Sequence, residues 1–145
     1  LNLPLSSSNN KAEATVWMPP SPSVAALVMA RQTTSRASYY ARQGFSTVTL
    51  WLLASSGLRT TLTPEYSTPN ADGLRIGIEV DGSSITYLLS GAKTSLVATN
   101  TQLSIGLYSG FWGYGHPYYD DWQASDLALP PTGNRRRRLL ITGTP

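Results

Sequence analysis

The chain has 145 residues, of which 41% are hydrophobic and only 13% charged, and it contains no cysteine. That length holds one domain with its own core, while the missing cysteines exclude a disulfide framework, thiolate chemistry and a cysteine-based zinc site. The formal charge of +3 rests on Arg135 to Arg138; without them 7 basic residues face 8 acidic ones, so the body is near neutral and nucleic acid is not an expected partner.

Charged residues usually make up about 25% of a globular domain. Here Ser, Thr, Gly and Asn take their place, a profile suited to an all-β extracellular or virion protein. No apolar run approaches the roughly 18 residues needed to span a bilayer, and the longest, Val24 to Ala30, is strand-sized. The chain opens on Leu1 without a recognisable signal peptide, as expected of a processed product or a piece of a longer chain.

In chain order, 1–10 (LNLPLSSSNN) reads as an arm or a ragged first strand. From Lys11 the residues alternate, with Ala12, Ala14, Val16 and Met18 on one face and Glu13, Thr15 and Trp17 on the other, the period of a half-buried strand. Pro19, Pro20 and Pro22 stop the ladder, since proline donates no amide hydrogen. Ser23 to Arg31 reads as a buried strand, 32–37 as a polar turn, and Ser38 to Gln43 as a further strand. Thr47 to Ala54 (TVTLWLLA) is apolar on both faces and is expected to lie centrally. Leu58 to Thr63 returns, and 64–71 is a loop.

Gly73 to Ala98 carries the clearest pattern. Leu74, Ile76, Ile78 and Val80 alternate with Arg75, Gly77 and Glu79; Ile85, Tyr87 and Leu89 form the partner face. Asp81-Gly82 predicts a type I′ hairpin turn, with Ser90-Gly91 as a second turn and Thr94 to Ala98 as the third strand of a meander. The last segment, 103–127 (LSIGLYSGFWGYGHPYYDDWQASDL), reads as strand, wide glycine-aromatic loop, strand. Glycines 110, 113 and 115 are expected to free the loop rings from the pleat. So aromatic a loop is either a recognition surface or the lid of a core. About ten strands with turn residues between them, and no helical periodicity, predict an antiparallel two-sheet β-sandwich over 11–129, followed by a Pro/Gly linker and arginine tail over 130–145.

The succession SYYARQ, TVTLWLLA, LRIGIEVDGSSITYLLSGA, IGLYSG and YYDDWQASDL resembles the concanavalin A-like (laminin-G-like) jelly rolls over Ala12 to about Leu127. The resemblance implies a jelly roll with one concave sheet. Many relatives bind glycans there, some hydrolyse β-glucans, and others are adhesive or structural modules, including domains of phage tail and surface proteins. Typical members have further strands ahead of the first region. Here only 1–10 stands there, so the resemblance leaves one sheet edge for a partner chain to close.

The chemistry narrows as follows. A glycosidase needs two carboxylates about 5–10 Å apart. The resemblance would place them as an E-x-D-x-(x)-E cluster, and Glu13, Glu65 and Glu79 are instead isolated. His116 is the single histidine, and no serine has a G-x-S-x-G context. No catalytic residue is therefore expected. No cofactor is expected either; calcium is the one candidate, on Asp120, Asp121 and Asp126 with loop carbonyls.

Ring planes can pack on sugar C–H faces or on protein, and the candidate ligand-binding residues are Trp112, Tyr114, Tyr118, Tyr119, Tyr39 and Tyr40. Trp51 could share their sheet, although Trp51 and Trp122 also read as core. The leading expectation is a non-catalytic structural or adhesion module of a virion (phage decoration, tail or fibre-like) or of another extracellular assembly. Its partners would be other copies or other structural proteins met through the terminal arms, with a glycan as a further candidate and no membrane. The alternative is a carbohydrate-binding module of a secreted enzyme, and the third reading is a diverged β-glucanase.

Overall fold

Among the described residues, the alternation seen in the sequence becomes twelve antiparallel strands in two layers. They are β1 (Asn2–Pro4), β2 (Asn10–Trp17), β3 (Ala25–Gln32), β4 (Ser38–Gln43), β5 (Thr47–Leu53), β6 (Arg59–Thr61), β7 (Tyr66–Ser67), β8 (Asp72–Asp81), β9 (Ser84–Leu89), β10 (Ala92–Thr99), β11 (Tyr108–Tyr114) and β12 (Tyr118–Asp126). This computed structural model describes residues 2–5 and 7–127. The linker and arginine tail expected over 130–145 lie outside the described residues. No helix among those residues is long and apolar enough to cross a membrane.

The larger sheet runs β1-β11-β3-β4-β5-β6, with β7 also paired to β5; the smaller runs β10-β9-β8-β2-β12. The pleat sends alternate residues inward. Ala12, Ala14 and Val16 of β2, Val28 and Ala30 of β3, Leu50 and Leu52 of β5, and Ile76, Ile78 and Val80 of β8 pack into one buried cluster. Each fully buried Val, Ile or Leu contributes about 1.5–3 kcal/mol relative to exposure. Two tyrosines tie the layers with polar bonds. The Tyr87 hydroxyl donates to Gln43 Oε1 at 2.8 Å, and the Tyr39 hydroxyl donates to Asn100 Oδ1 at 2.8 Å while accepting from the Leu103 amide at 3.0 Å.

The meander is as expected, but the type I′ turn lies at its second hairpin and not at the first. Asp81 pairs with Ser84, so Gly82 and Ser83 are the central residues, and of these two only Gly82 has positive φ, at 57°. That is a type II′ pattern. Leu89 pairs with Ala92, and both Ser90 (φ 52°) and Gly91 (φ 80°) are positive, so the type I′ turn lies there.

The arm is built into the body. β1 pairs with β11, Asn2 opposite Gly110 and Pro4 opposite Tyr108, so the chain's own first strand covers residues 108–110 of that edge. Just beyond it, the buried Arg31 guanidinium gathers neutral acceptors: Ser8 O (2.8 Å), Gly82 O (2.5 Å), Leu103 O (2.9 Å) and Asn9 Oδ1 (2.9 Å). The Arg31 amide donates to Asn10 Oδ1 at 3.0 Å. One side chain thereby fixes the arm, the β8–β9 turn and the approach to β11.

The final segment differs most from its sequence reading. Residues 104–107 are not strand, and the wide aromatic loop is instead strand β11, a three-residue crossing at 115–117, and strand β12. Among glycines 110, 113 and 115 only Gly115 has positive φ, at 68°. The rings therefore follow the pleat. Phe111 points into the core, and Trp112 faces outward opposite Leu27.

Candidate functional site

The outer face of the larger sheet collects an aromatic cluster. β3 supplies Ala25, Leu27 and Met29, β4 supplies Tyr40, β5 supplies Trp51 and Leu53, and β11 supplies Tyr114. Register explains the meeting: Tyr40 stands opposite Trp51, Trp112 opposite Leu27, and Tyr114 opposite Ala25. The Tyr40 and Trp51 rings stack with centroids 6.2 Å apart at 14°, and Trp112 meets Tyr114 edge-on at 4.6 Å. The Trp51 indole N–H donates to Thr49 Oγ1 at 2.6 Å, which holds its plane. Trp112 is 52% exposed, whereas Tyr40, at 3%, is a floor under its neighbours.

That face is curved. The Arg59 guanidinium of β6 lies 5.8 Å from the Tyr114 ring centroid of β11, although β3, β4 and β5 separate those strands. In a flat sheet four strand spacings keep the backbones about 19 Å apart, so the contact requires the face to bend into a trough. Burial pushes the Tyr40 phenol up to about 12, while Arg59 and Arg42 pull it the other way. At the Arg42 end the trough adjoins an open cleft of about 400 Å³, lined by Pro20, Pro22, Arg42, Phe45, Thr47 and Glu65 among others.

Of the six rings singled out from sequence, the trough gathers Trp112, Tyr114 and Tyr40. Tyr118 lies on the outer face of the smaller sheet, 5.5 Å from Trp17. Tyr39 is fully buried, its hydroxyl engaged with Asn100 and Leu103 as above. Tyr119 packs against the core with its ring 4.6 Å from Phe111. Its hydroxyl accepts from the Leu27 amide at 3.2 Å and donates to the Trp112 carbonyl. Burial pushes that phenol upward. Tyr119 thus splices the β3–β11 ladder directly beneath Trp112, a positioning role that spacing alone did not suggest. Gly113 makes room for it, since a Cβ there would stand 2.8 Å from the Tyr119 hydroxyl and 2.9 Å from the Ala25 carbonyl.

Trp122 is core, as one sequence reading had it, but Trp51 is not. The tertiary structure adds Arg42 and Arg59, which nothing in their local sequence marks. The three aspartates considered for calcium are spread along β12. Asp120 Oδ1 accepts the Asp121 amide, Asp121 sits at a bulge with φ 47°, and Asp126 Oδ1 accepts the Ser7 amide at 2.8 Å near the strand's far end. Among the described residues no group of three or more His, Asp or Glu side chains converges. Glu13 and Glu79 are on the outer face of the smaller sheet, where Glu13 pairs with Lys11 and Arg75 at 3.6 Å and Glu79 with Lys93 at 2.6 Å.

No protein-family model matches the sequence, and no curated protein matches it. Solved structures do share the fold. One is the carbohydrate-binding module CBM66 from Bacillus subtilis, with TM-score 0.67 and 14% identity over 82% of this chain and 76% of that one. Another is the Caenorhabditis elegans galectin LEC-6, with TM-score 0.59 and 14% identity over 86% and 89%. A human galectin-16 double variant follows, with TM-score 0.54 and 12% identity over 87% and 94%. The architecture is therefore the concanavalin A-like jelly roll that the sequence motifs resemble.

Proposed function

We propose that this domain is a non-catalytic glycan-binding module whose site is the trough of the larger sheet. The observation that carries the reading is the meeting of Trp112, Tyr114, Tyr40 and Trp51, drawn from three strands, on one curved outer face. Aromatic planes accept sugar C–H faces, and a trough with a half-exposed Trp at its rim matches an extended chain of rings better than a small apolar molecule. A carbohydrate-binding module and galectins with the same architecture favour this reading over a purely structural one. Such a module meets polysaccharide outside the cell, whether attached to a secreted enzyme or displayed on a virion as an adhesion domain. The pairing of β1 along residues 108–110 weakens one reason to require a partner chain. The trough lining contains no carboxylate, in keeping with binding rather than hydrolysis.

The test is a glycan array followed by calorimetry on the best binder. Trp112→Ala should weaken binding by at least about tenfold, equivalent to ~1.4 kcal/mol, with thermal stability retained. Tyr118→Ala, on the other sheet, should leave affinity unchanged. Binding that survives the first change and disappears with the second would move the site to the smaller sheet and refute the proposal.

A further inference from the structure

The near-neutral composition conceals a division of charge between the two sheets. The strands of the smaller sheet carry seven acidic residues and three basic ones. The strands of the larger sheet carry three arginines and no acidic residue. One of the three, Arg31, is consumed by the bonds that hold the arm. The other two, Arg42 and Arg59, flank the trough, and among the described residues neither forms an ion pair; all three ion pairs found belong to the smaller sheet. The remaining acid, Glu65, lines the cleft beyond Arg42 and lies outside salt-bridge distance of it.

Resting on the glycan reading above, we infer that the trough selects anionic glycans, its two arginines each taking a carboxylate or sulfate group while the rings take the sugar faces. Arg42 shares a lateral row with Leu27 and Trp112, because Leu27 is opposite both. That puts the Arg42 and Trp112 backbones two strand spacings apart, roughly 10 Å. Arg59 lies over Tyr114 and extends the same positive wall. Both guanidinium groups act on the buried Tyr40 phenol, so their field converges on the trough floor. A guanidinium with no protein carboxylate keeps its forked donor set free for a planar carboxylate or a sulfate ester, and a cation resting against a ring loses less water on binding than an isolated one. With no acid on the face, a neutral sugar would leave this charge uncompensated, whereas an acidic one neutralises it.

The experiment uses calorimetry with two matched pairs of oligosaccharides: oligogalacturonate against its methyl ester, and a sulfated galactan fragment against its desulfated form. In dilute salt, one or both anionic members should bind at least about tenfold more tightly than the neutral partner. That preference should shrink as salt rises from about 50 to 300 mM, as the Debye length falls below about 10 Å. Arg42→Gln and Arg59→Gln, both outside the core, should each lower anionic binding more than neutral binding and so remove most of the preference, whereas Trp112→Ala should weaken both members alike. The pair that responds identifies the group as carboxylate or sulfate. Equal binding of anionic and neutral members overturns this inference while leaving the glycan reading in place. Binding of none of the four, on a domain whose melting curve is intact, overturns this inference, and the glycan array alone then decides the glycan reading. Sedimentation that shows salt-sensitive self-association lost in Arg42→Gln would assign the positive face to the acidic face of a second copy, and overturns the inference as well.

Discussion

Replacing Tyr119 with Phe removes one oxygen and leaves the ring that packs on Phe111. That oxygen serves two backbone groups, the Leu27 amide and the Trp112 carbonyl. Their losses are unequal. Leu27 is 4% exposed, so its amide has the poorer access to water, whereas the Trp112 carbonyl borders solvent and can rehydrate. A buried donor left without a partner costs about 1–3 kcal/mol, and the rehydrated acceptor adds little. The expected destabilisation is therefore about 1–2 kcal/mol, read in urea as a lower midpoint at unchanged slope. The same change loosens the strand under Trp112, so affinity for the best glycan should drop, while Tyr114→Phe leaves stability unchanged. A Tyr119→Phe protein as stable as the parent would show that β3 and β11 close up directly, and that the hydroxyl does not hold Trp112 in place.

Two further outcomes follow from the same structure. Arg31→Ala discards four bonds from a buried guanidinium to partly buried carbonyl and amide acceptors. Charge-assisted bonds contribute about 1.5–3 kcal/mol each and do not add fully, so a loss of about 3–5 kcal/mol is expected, with glycan affinity preserved under conditions where the fold persists; a loss below ~1 kcal/mol would dismiss the residue as a hub. Burial raises the phenols of Tyr40 (to about 12), Tyr87 and Tyr119 above the unfolded value near 10. Because the folded state then holds its protons more tightly, stability is full below pH 10 and falls above it, by up to about 1.4 kcal/mol per pH unit for each tyrosine. Phenolate absorbance should therefore rise in step with unfolding, and titration of these rings in a still-folded protein at pH 10–11 would contradict their burial.

Much of the framework was readable along the chain because it depends on local period. The faces of β2, β8 and β9 follow from residues two apart, and Ser38–Gln43 was bounded correctly by its composition. The aromatic segment was harder. Glycines among so many rings predict loop hinges, yet Gly113 is needed for the close approach of Tyr119 and Ala25 within a strand. The parity of β12 was also hidden: Tyr119 and Trp122 both point inward although three residues apart, which the bulge at Asp121 permits. Arg31 had no signal at all, since its acceptors come from 8–9, 82 and 103.

The candidate site shows where local reading stops. Order along the chain determined that there would be two sheets, a buried meander and a supply of outward rings and arginines. It did not determine which outward residues share a sheet. Strands of the two layers interleave in sequence, β2 in one, β3 to β7 in the other, β8 to β10 back in the first, and then β11 and β12 divided between them. A side chain's face is set by its neighbours two positions away, but its companions on that face are set by hydrogen-bonded strands distant in sequence. The gathering of Tyr40, Trp51 and Trp112, and the separation of arginines from acids, are therefore decided only when the sheets assemble.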